Sequence, residues 1–229
     1  LYSNGDTHLA RYTDITTVSP TRTNITDPLI VNISAIKVSP YTTTASNVYL
    51  GTRAGKLIKV ENANTATPTV TDISGGSFLG NISSVEFGAS EDEIMVTFYN
   101  FGVDSIWFTD DGGTTWQNKE GDFPDINVRC ILMNPLNTNE VIIGTELGVW
   151  YSSNFKDASP AWNHSYNGMS HATVTSFSLR TIDNTVLAST FGRGLFTGKF
   201  KVKSLTTWTG AIDTDWAKSG NWSNGVPAT

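Results

Sequence analysis

The sequence predicts an all-β fold in which one four-stranded antiparallel unit is used several times over. Three observations carry this. Ser, Thr, Asn and Gly crowd the chain while Leu, Ala, Glu and Lys do not, which favours strands and turns over helices. No stretch of about ten residues keeps a helical period. One alternating pattern recurs: "NISAIKVSP" (32–40), "NISSVEFGA" (81–89), "NVRCILMNP" (127–135) and "TVTSFSLRT" (173–181), starting 49, 46 and 46 residues apart.

Each copy opens a unit. A second apolar run follows at "NVYLGTRAG" (47–55), "EIMVTFYNFG" (93–102), "EVIIGTELG" (140–148) and "TVLASTFGRG" (185–194). A third comes at once: "KLIKV" (56–60), "SIWFTD" (105–110), "VWYSS" (149–153) and "LFTGKF" (195–200). More polar fourth strands fit "TVTDI" (69–73), "TWQNK" (115–119) and "WNHSY" (162–166). Four short strands per 40 to 50 residues is the arithmetic of a β-propeller blade. The first strand would line the axis and the polar fourth would be the solvated edge. A two-layer sandwich is the competing arrangement, but it gives no reason for the repeated Gly-Thr-x-x-Gly punctuation.

The expected organisation is a partial propeller over 1–200. Segments 8–14 and 21–28 supply the last two strands of an incomplete blade. Full blades follow at about 32–74, 80–120 and 126–167, and a last blade of three strands at 173–200. Residues 201–205 read as a joint, and 206–229 as the start of a Trp-rich β-module. The chain opens on Leu1 and reads as a segment of something longer, with upstream blades or a partner covering two apolar faces left by the open ring.

Bulk numbers exclude several functions. Net charge is −6 with no basic stripe, which argues against nucleic acid. No run of about 20 apolar residues could span a membrane. Cys130 is the only cysteine, so an internal disulfide and a Cys-based zinc site are excluded. The three histidines lack metal-ligand spacing, and neither a nucleophile elbow nor a phosphate loop is present. No cofactor is expected.

The stretch "FTDDGGTTWQN" (108–118) lies between a third and a fourth strand. Asp111 can accept from backbone N–H groups of its own turn, Thr109 and Thr115 can satisfy others, and Trp116 can fold back between sheets. With Thr109, Asp111, Gly113, Thr115 and Trp116 in place, the stretch resembles the Asp-box, or BNR, repeat family. That resemblance implies a structural turn on the blade periphery, away from the ligand face. Calcium at Asp110 and Asp111 lacks further carboxylates at loop spacing. "STFGRGLFTGKF" (189–200) resembles the last blade of secreted sortilin-like and xyloglucanase-like propellers. The segment 206–229 resembles the opening of modules in large surface proteins of the Bacteroidetes, through Trp208, Thr209, Gly210, Asp215, Trp216, Asn221, Trp222, Ser223, Gly225 and Pro227. This implies an extracellular or cell-surface setting and export by type IX secretion machinery. Its tryptophans read as core anchors, with sugar stacking the alternative.

Turns between second and third strands, and links between blades, open on the axial face. Arg53, Tyr99, Asp104, Glu146, His171 and Arg193 are therefore the candidate ligand-facing residues, accompanied by Asp122 and Asp125. No pair of these sits in a motif that assigns catalysis. The expected function is a non-catalytic binding or adhesion scaffold gripping a glycan or protein. The alternative is one lobe of a xyloglucanase- or sialidase-like glycoside hydrolase whose acids lie outside this segment.

Overall fold

The computed structural model of the protein describes residues 1–165, 168–169, 171–200 and 207–222. Five antiparallel sheets follow one another along the chain. The first holds β1 (Tyr2–Asn4), β2 (Leu9–Thr13) and β3 (Thr21–Ile25). The second holds β4 (Ile33–Val38), β5 (Val48–Thr52), β6 (Leu57–Glu61) and β7 (Thr69–Asp72), and the third β8 (Ile82–Phe87), β9 (Ile94–Phe98), β10 (Ile106–Thr109) and β11 (Gln117–Asn118). The fourth holds β12 (Val128–Met133), β13 (Val141–Thr145), β14 (Gly148–Ser152) and β15 (Asn163–Ser165), and the fifth β16 (Val174–Arg180), β17 (Thr185–Thr190) and β18 (Gly194–Lys199). Within each sheet, sequential strands are neighbours. Residues 166–167 and the joint at 201–205 lie outside the described residues, as do Ser223, Gly225 and Pro227.

Successive sheets meet mainly through their first strands, β4 against β8, β8 against β12 and β12 against β16. That is a radial, β-propeller-like arrangement. Apolar cores fill the gaps between sheets. Leu9, Ile25, Val48, Leu50 and Ile58 join sheets one and two; Tyr49, Leu57, Val96, Phe98 and Trp107 join two and three. Met95, Phe108, Ile131, Ile143 and Trp162 join three and four, and Cys130, Val174 and Ala188 join four and five. Second strands such as "VYLGT" and "IMVTF" are buried along their whole length because a neighbour covers each face.

Every complete first strand carries a β-bulge at the same place, between Ile33 and Ala35, Ile82 and Ser84, Val128 and Cys130, and Val174 and Ser176. The extra residues are Ser34, Ser83, Arg129 and Thr175. Ser34 Oγ donates to the Ile82 carbonyl at 2.7 Å, and Ser83 Oγ to the Val128 carbonyl at 2.7 Å, so each serine ties its sheet to the next beside the axis. The Gly-Thr pairs have a cause here too. A Cβ on Gly51 would sit 2.3 Å from Ile82 Cγ2, and one on Gly144 2.6 Å from Val174 Cγ1. Side chains are excluded where sheets converge.

The Thr109–Trp116 turn is a closed hydrogen-bond network at the opposite end from the axial turns. Asp111 Oδ1 accepts from Thr109 Oγ1 at 2.7 Å and from the Thr115 N–H at 2.9 Å, and Oδ2 accepts from Thr115 Oγ1 at 2.7 Å. These donors, the Thr115 N–H foremost, draw the Asp111 carboxyl down to about 2. Gly113, at φ 95, turns the chain against Ile73. Trp116 Nε1 then donates to the Ile73 carbonyl of the preceding sheet at 2.9 Å, and its ring packs on Phe78 at 4.8 Å.

The fourth sheet rebuilds this latch from different residues. Ser152, Asn154 and Trp162 occupy the places of Thr109, Asp111 and Trp116. Ser152 Oγ donates to Asn154 Oδ1 at 3.1 Å, which also accepts the Ala161 N–H at 2.9 Å. Trp162 Nε1 donates to the Lys119 carbonyl at 3.0 Å. Lys119 is itself buried, and its ammonium donates to the Asp157 and Lys156 carbonyls at 2.7 and 3.3 Å, stitching sheets three and four. Desolvation lowers its pKa.

Two expectations are corrected. The first sheet has three strands, not two, because Tyr2–Asn4 pairs with β2. The uncovered faces of the outer sheets are not apolar. Leu9 and Ile25 turn inward, so the first sheet presents Tyr12, Arg22 and Asn24 outward. There Arg22 bonds Asn24 Oδ1 at 3.1 Å and His8 Nε2 at 2.8 Å, and lies 6.0 Å from the Tyr12 ring. The fifth sheet presents Ser178, Leu187, Ser189, Leu195 and Thr197, a mostly hydroxyl-bearing face, as on the end units of repeat proteins.

Candidate functional site

Register fixes four equivalent rim positions, since Thr52, Phe98, Thr145 and Thr190 pair with Ile33, Ile82, Val128 and Val174. The residues that follow are Arg53, Tyr99, Glu146 and Phe191. The N–H groups of Arg53, Tyr99 and Phe191 donate to Asn32, Asn81 and Thr173 carbonyls at 3.0, 2.9 and 2.9 Å, holding each turn to its own first strand.

Two of the expected ligand-facing residues come together here, through one that sequence reasoning missed. Arg129, the bulge residue of β12, lays its guanidinium 4.4 Å from the Tyr99 ring centroid. Its Nη2 donates to Tyr99 Oη at 2.7 Å and lies 3.3 Å from Glu146 Oε1. Tyr99 in turn donates its hydroxyl to Glu146 Oε1. That bond raises the Tyr99 pKa and lowers that of Glu146, so the trio holds one cation and one anion around a neutral phenol at neutral pH. All three side chains remain partly open to solvent.

Arg129 also lines the axial cavity. This cavity, about 260 Å³, is bounded by Ser83, Glu86, Arg129 and Thr175, with Lys37 bonded to Glu86 at 2.6 Å across its wall. A larger groove of about 670 Å³ lies off the axis between sheets four and five, where Tyr151, Met169, Val186 and Phe196 line it. The axial cavity gathers Lys37, Glu86 and Arg129 from successive first strands, beside the Tyr99–Glu146 pair, and is the better candidate. Aligning the four first strands exposes the signal for Arg129: a serine or threonine stands at its place in the other three.

The remaining expected residues lie elsewhere. His171 stacks on His164 with ring centroids 6.1 Å apart. Arg53 and Arg193 are exposed on their own turns, and Asp104 is exposed beside Ser105. Asp122 and Asp125 are structural acceptors, taking the Trp162 N–H at 2.6 Å and the Gly102 N–H at 2.9 Å. Two exposed aromatics on these turns were not anticipated: Phe191, 80% exposed, and Phe101, 64% exposed. Among the described residues no His, Cys, Asp and Glu side chains are grouped to hold a metal, and no helix is long and apolar enough to cross a membrane.

Glu120, on this side, is poised near neutrality. Burial, then the charges of Asp104 and Asp125, raise it to about 7, while the Ser105 N–H donates to Oε2 at 2.6 Å. A folded-state value above the usual carboxylate range favours the folded state at low pH. That contribution should fade as pH rises from about 4.5 to about 7. Urea melts at pH 5 and pH 8 should therefore show wild type losing stability relative to Glu120→Gln across the interval. An unchanged difference between the two proteins would contradict the buried-acid reading.

No family model matches this chain, and no curated protein matches it. Many solved structures are similar in fold, and two of them illustrate the likeness. An ancestral GH74 enzyme superposes with a TM-score of 0.54 at 15% identity, over 72% of this chain and 22% of its own. A chain of the mitotic checkpoint complex superposes with a TM-score of 0.60 at 10% identity, over 86% of this chain and 56% of its own. The chain thus spans less than two thirds of either. At such identities the likeness concerns architecture, and it agrees with the radial packing: the chain has a β-propeller-like fold.

Proposed function

We propose that the chain is a non-catalytic binding module that holds a glycan at the mouth of its axial cavity, as part of a larger extracellular or surface protein. The observation that carries this is the Tyr99–Arg129–Glu146 trio. A guanidinium, a phenol and a carboxylate converge at one rim, flanked by exposed Phe101 and Phe191. Sugar hydroxyls both donate and accept, which suits mixed polar groups. Their C–H faces suit aromatic rings. On this side Asp125 is engaged by the Gly102 N–H and Glu120 by that of Ser105, which favours binding over hydrolysis by a carboxylate pair.

In this reading the Thr109–Trp116 turn is an Asp-box, and the protein is exported by type IX machinery from a bacterium of Bacteroidetes type. A second reading, a glycoside hydrolase lobe, draws on the fold likeness to a GH74 enzyme. A glycan array separates them. Arg129→Ala should weaken binding at least about tenfold and Tyr99→Phe less, with no sugar released. Undiminished binding in Arg129→Ala would move the site off the axis, and released reducing ends would favour the hydrolase.

A further inference from the structure

The segment 207–222 forms a compact knot of its own. Asn221 is fully buried at its centre. Its Oδ1 accepts the Ile212 and Asp213 N–H groups at 2.8 and 3.0 Å, and its Nδ2 donates to Asp213 Oδ1 and the Asp215 carbonyl at 2.8 and 2.9 Å. Its own carbonyl accepts the Thr209 N–H at 2.8 Å. Every polar atom of that side chain is engaged, which fixes the turn carrying Trp216.

Around this hub stand three tryptophans. Trp208 and Trp216 stack at 4.9 Å with planes 11° apart. Trp222 lies 5.1 Å from one and 5.2 Å from the other, roughly perpendicular to both at 74° and 70°. Nearly equal distances put Trp222 beside the stacked pair, against their edges. Its Nε1 donates to the Trp216 carbonyl at 2.9 Å, locking the arrangement. Trp216 therefore has one face on Trp208 and the other outward, and it is 65% exposed. The expectation that all three tryptophans are core anchors does not hold for Trp216.

We propose that the outward face of Trp216 is a second glycan site, a rigid platform on which a pyranose ring stacks through its C–H face. The chemistry around it selects this class. The side chains following and preceding it on the turn, Thr214, Asp215 and Lys218, are all exposed and polar. A flat, exposed apolar disc with polar neighbours along its turn, among them Asp215 bonded to the Ala217 N–H and Lys218 paired with Asp213, complements a sugar, which is apolar on its faces and hydroxylated at its edge. A protein partner burying Trp216 in a core would meet these charges and have to desolvate them. The platform is also prepaid in order, since its rotamer is held by the stack and little freedom remains to be lost on binding. This site is independent of the axial reading.

The test titrates the 229-residue chain with cellohexaose, xylohexaose and chitohexaose, following calorimetry and tryptophan fluorescence. At least one probe should bind saturably. Trp216→Ala should weaken that binding at least about tenfold, while Trp216→Tyr, which keeps a ring, should stay within about threefold of wild type. Val18→Ala, at a fully exposed position on the first sheet's turn, should leave it unchanged. Failure of all three probes to bind at millimolar concentration would overturn the proposal. So would binding insensitive to Trp216→Ala, or binding lost in Arg129→Ala alone, which would assign the sugar to the axial mouth instead.

Discussion

Replacing Trp162 with alanine is expected to cost about 3–5 kcal/mol, the range for deleting a large buried aromatic. Its ring is 5% exposed and packs edge-on against Phe123 and Phe155, with centroids 5.9 and 6.2 Å away. The indole N–H also satisfies the Lys119 carbonyl of the neighbouring sheet. Trp162→Phe should recover the packing yet leave that carbonyl unpaired, at about 1–3 kcal/mol. Trp116→Ala should fall below Trp162→Ala, near 2–3 kcal/mol, because Trp116 is only half buried. Urea denaturation of the three variants checks the order. A Trp116→Ala loss exceeding that of Trp162→Ala would contradict the burial argument, because the less buried indole would then be the stronger latch.

Placing valine at Gly144 is expected to destabilise by about 3 kcal/mol, at the upper end for an overpacked core. Its Cβ would lie 2.5 Å from Cys130 Sγ and 2.6 Å from Val174 Cγ1, so both the same sheet and the next are in the way. Gly144→Ala should cost less, and shortening Val174 to alanine in the same protein should return part of the loss. Equivalent positions in the third and fifth sheets hold Thr97 and Ser189, so the restriction belongs to this seam and to that of Gly51 beside Ile82. Thermal melts of the single and double variants decide it. A Gly144→Val protein as stable as wild type would mean that the sheets do not converge there.

Much of the fold was legible in the sequence, because each four-stranded unit repeats its own grammar. Alternation in "NISAIKVSP" marks a first strand, and Gly-Thr marks the end of a second in sheets two and four. Legibility failed where a role passed to different residues. The latch in the fourth sheet has Ser152 and Asn154 where the third has Thr109 and Asp111, so it reads as decayed although its hydrogen bonds persist. Tyr2–Asn4 is too short to show a period. For the candidate site, the rim position of Tyr99 and Glu146 was legible because turns after second strands are recognisable. Arg129 was not, because its side chain reaches the rim from a β-bulge, and a bulge depends on pairing register that periodicity alone does not show. Lys119 was missed for a related reason: a lysine next to an edge strand reads as solvated, and only the neighbouring loop buries it.

Hydrogen exchange on the intact chain, with and without a glycan selected on the array, tests most directly that the axis is where this protein binds. Added protection should map to residues 99–105, 127–131 and 145–147, the turns and bulge that carry Tyr99, Arg129 and Glu146, and vanish in Arg129→Ala. Protection confined to 109–116 and 152–162, on the opposite end of the sheets, would contradict the account.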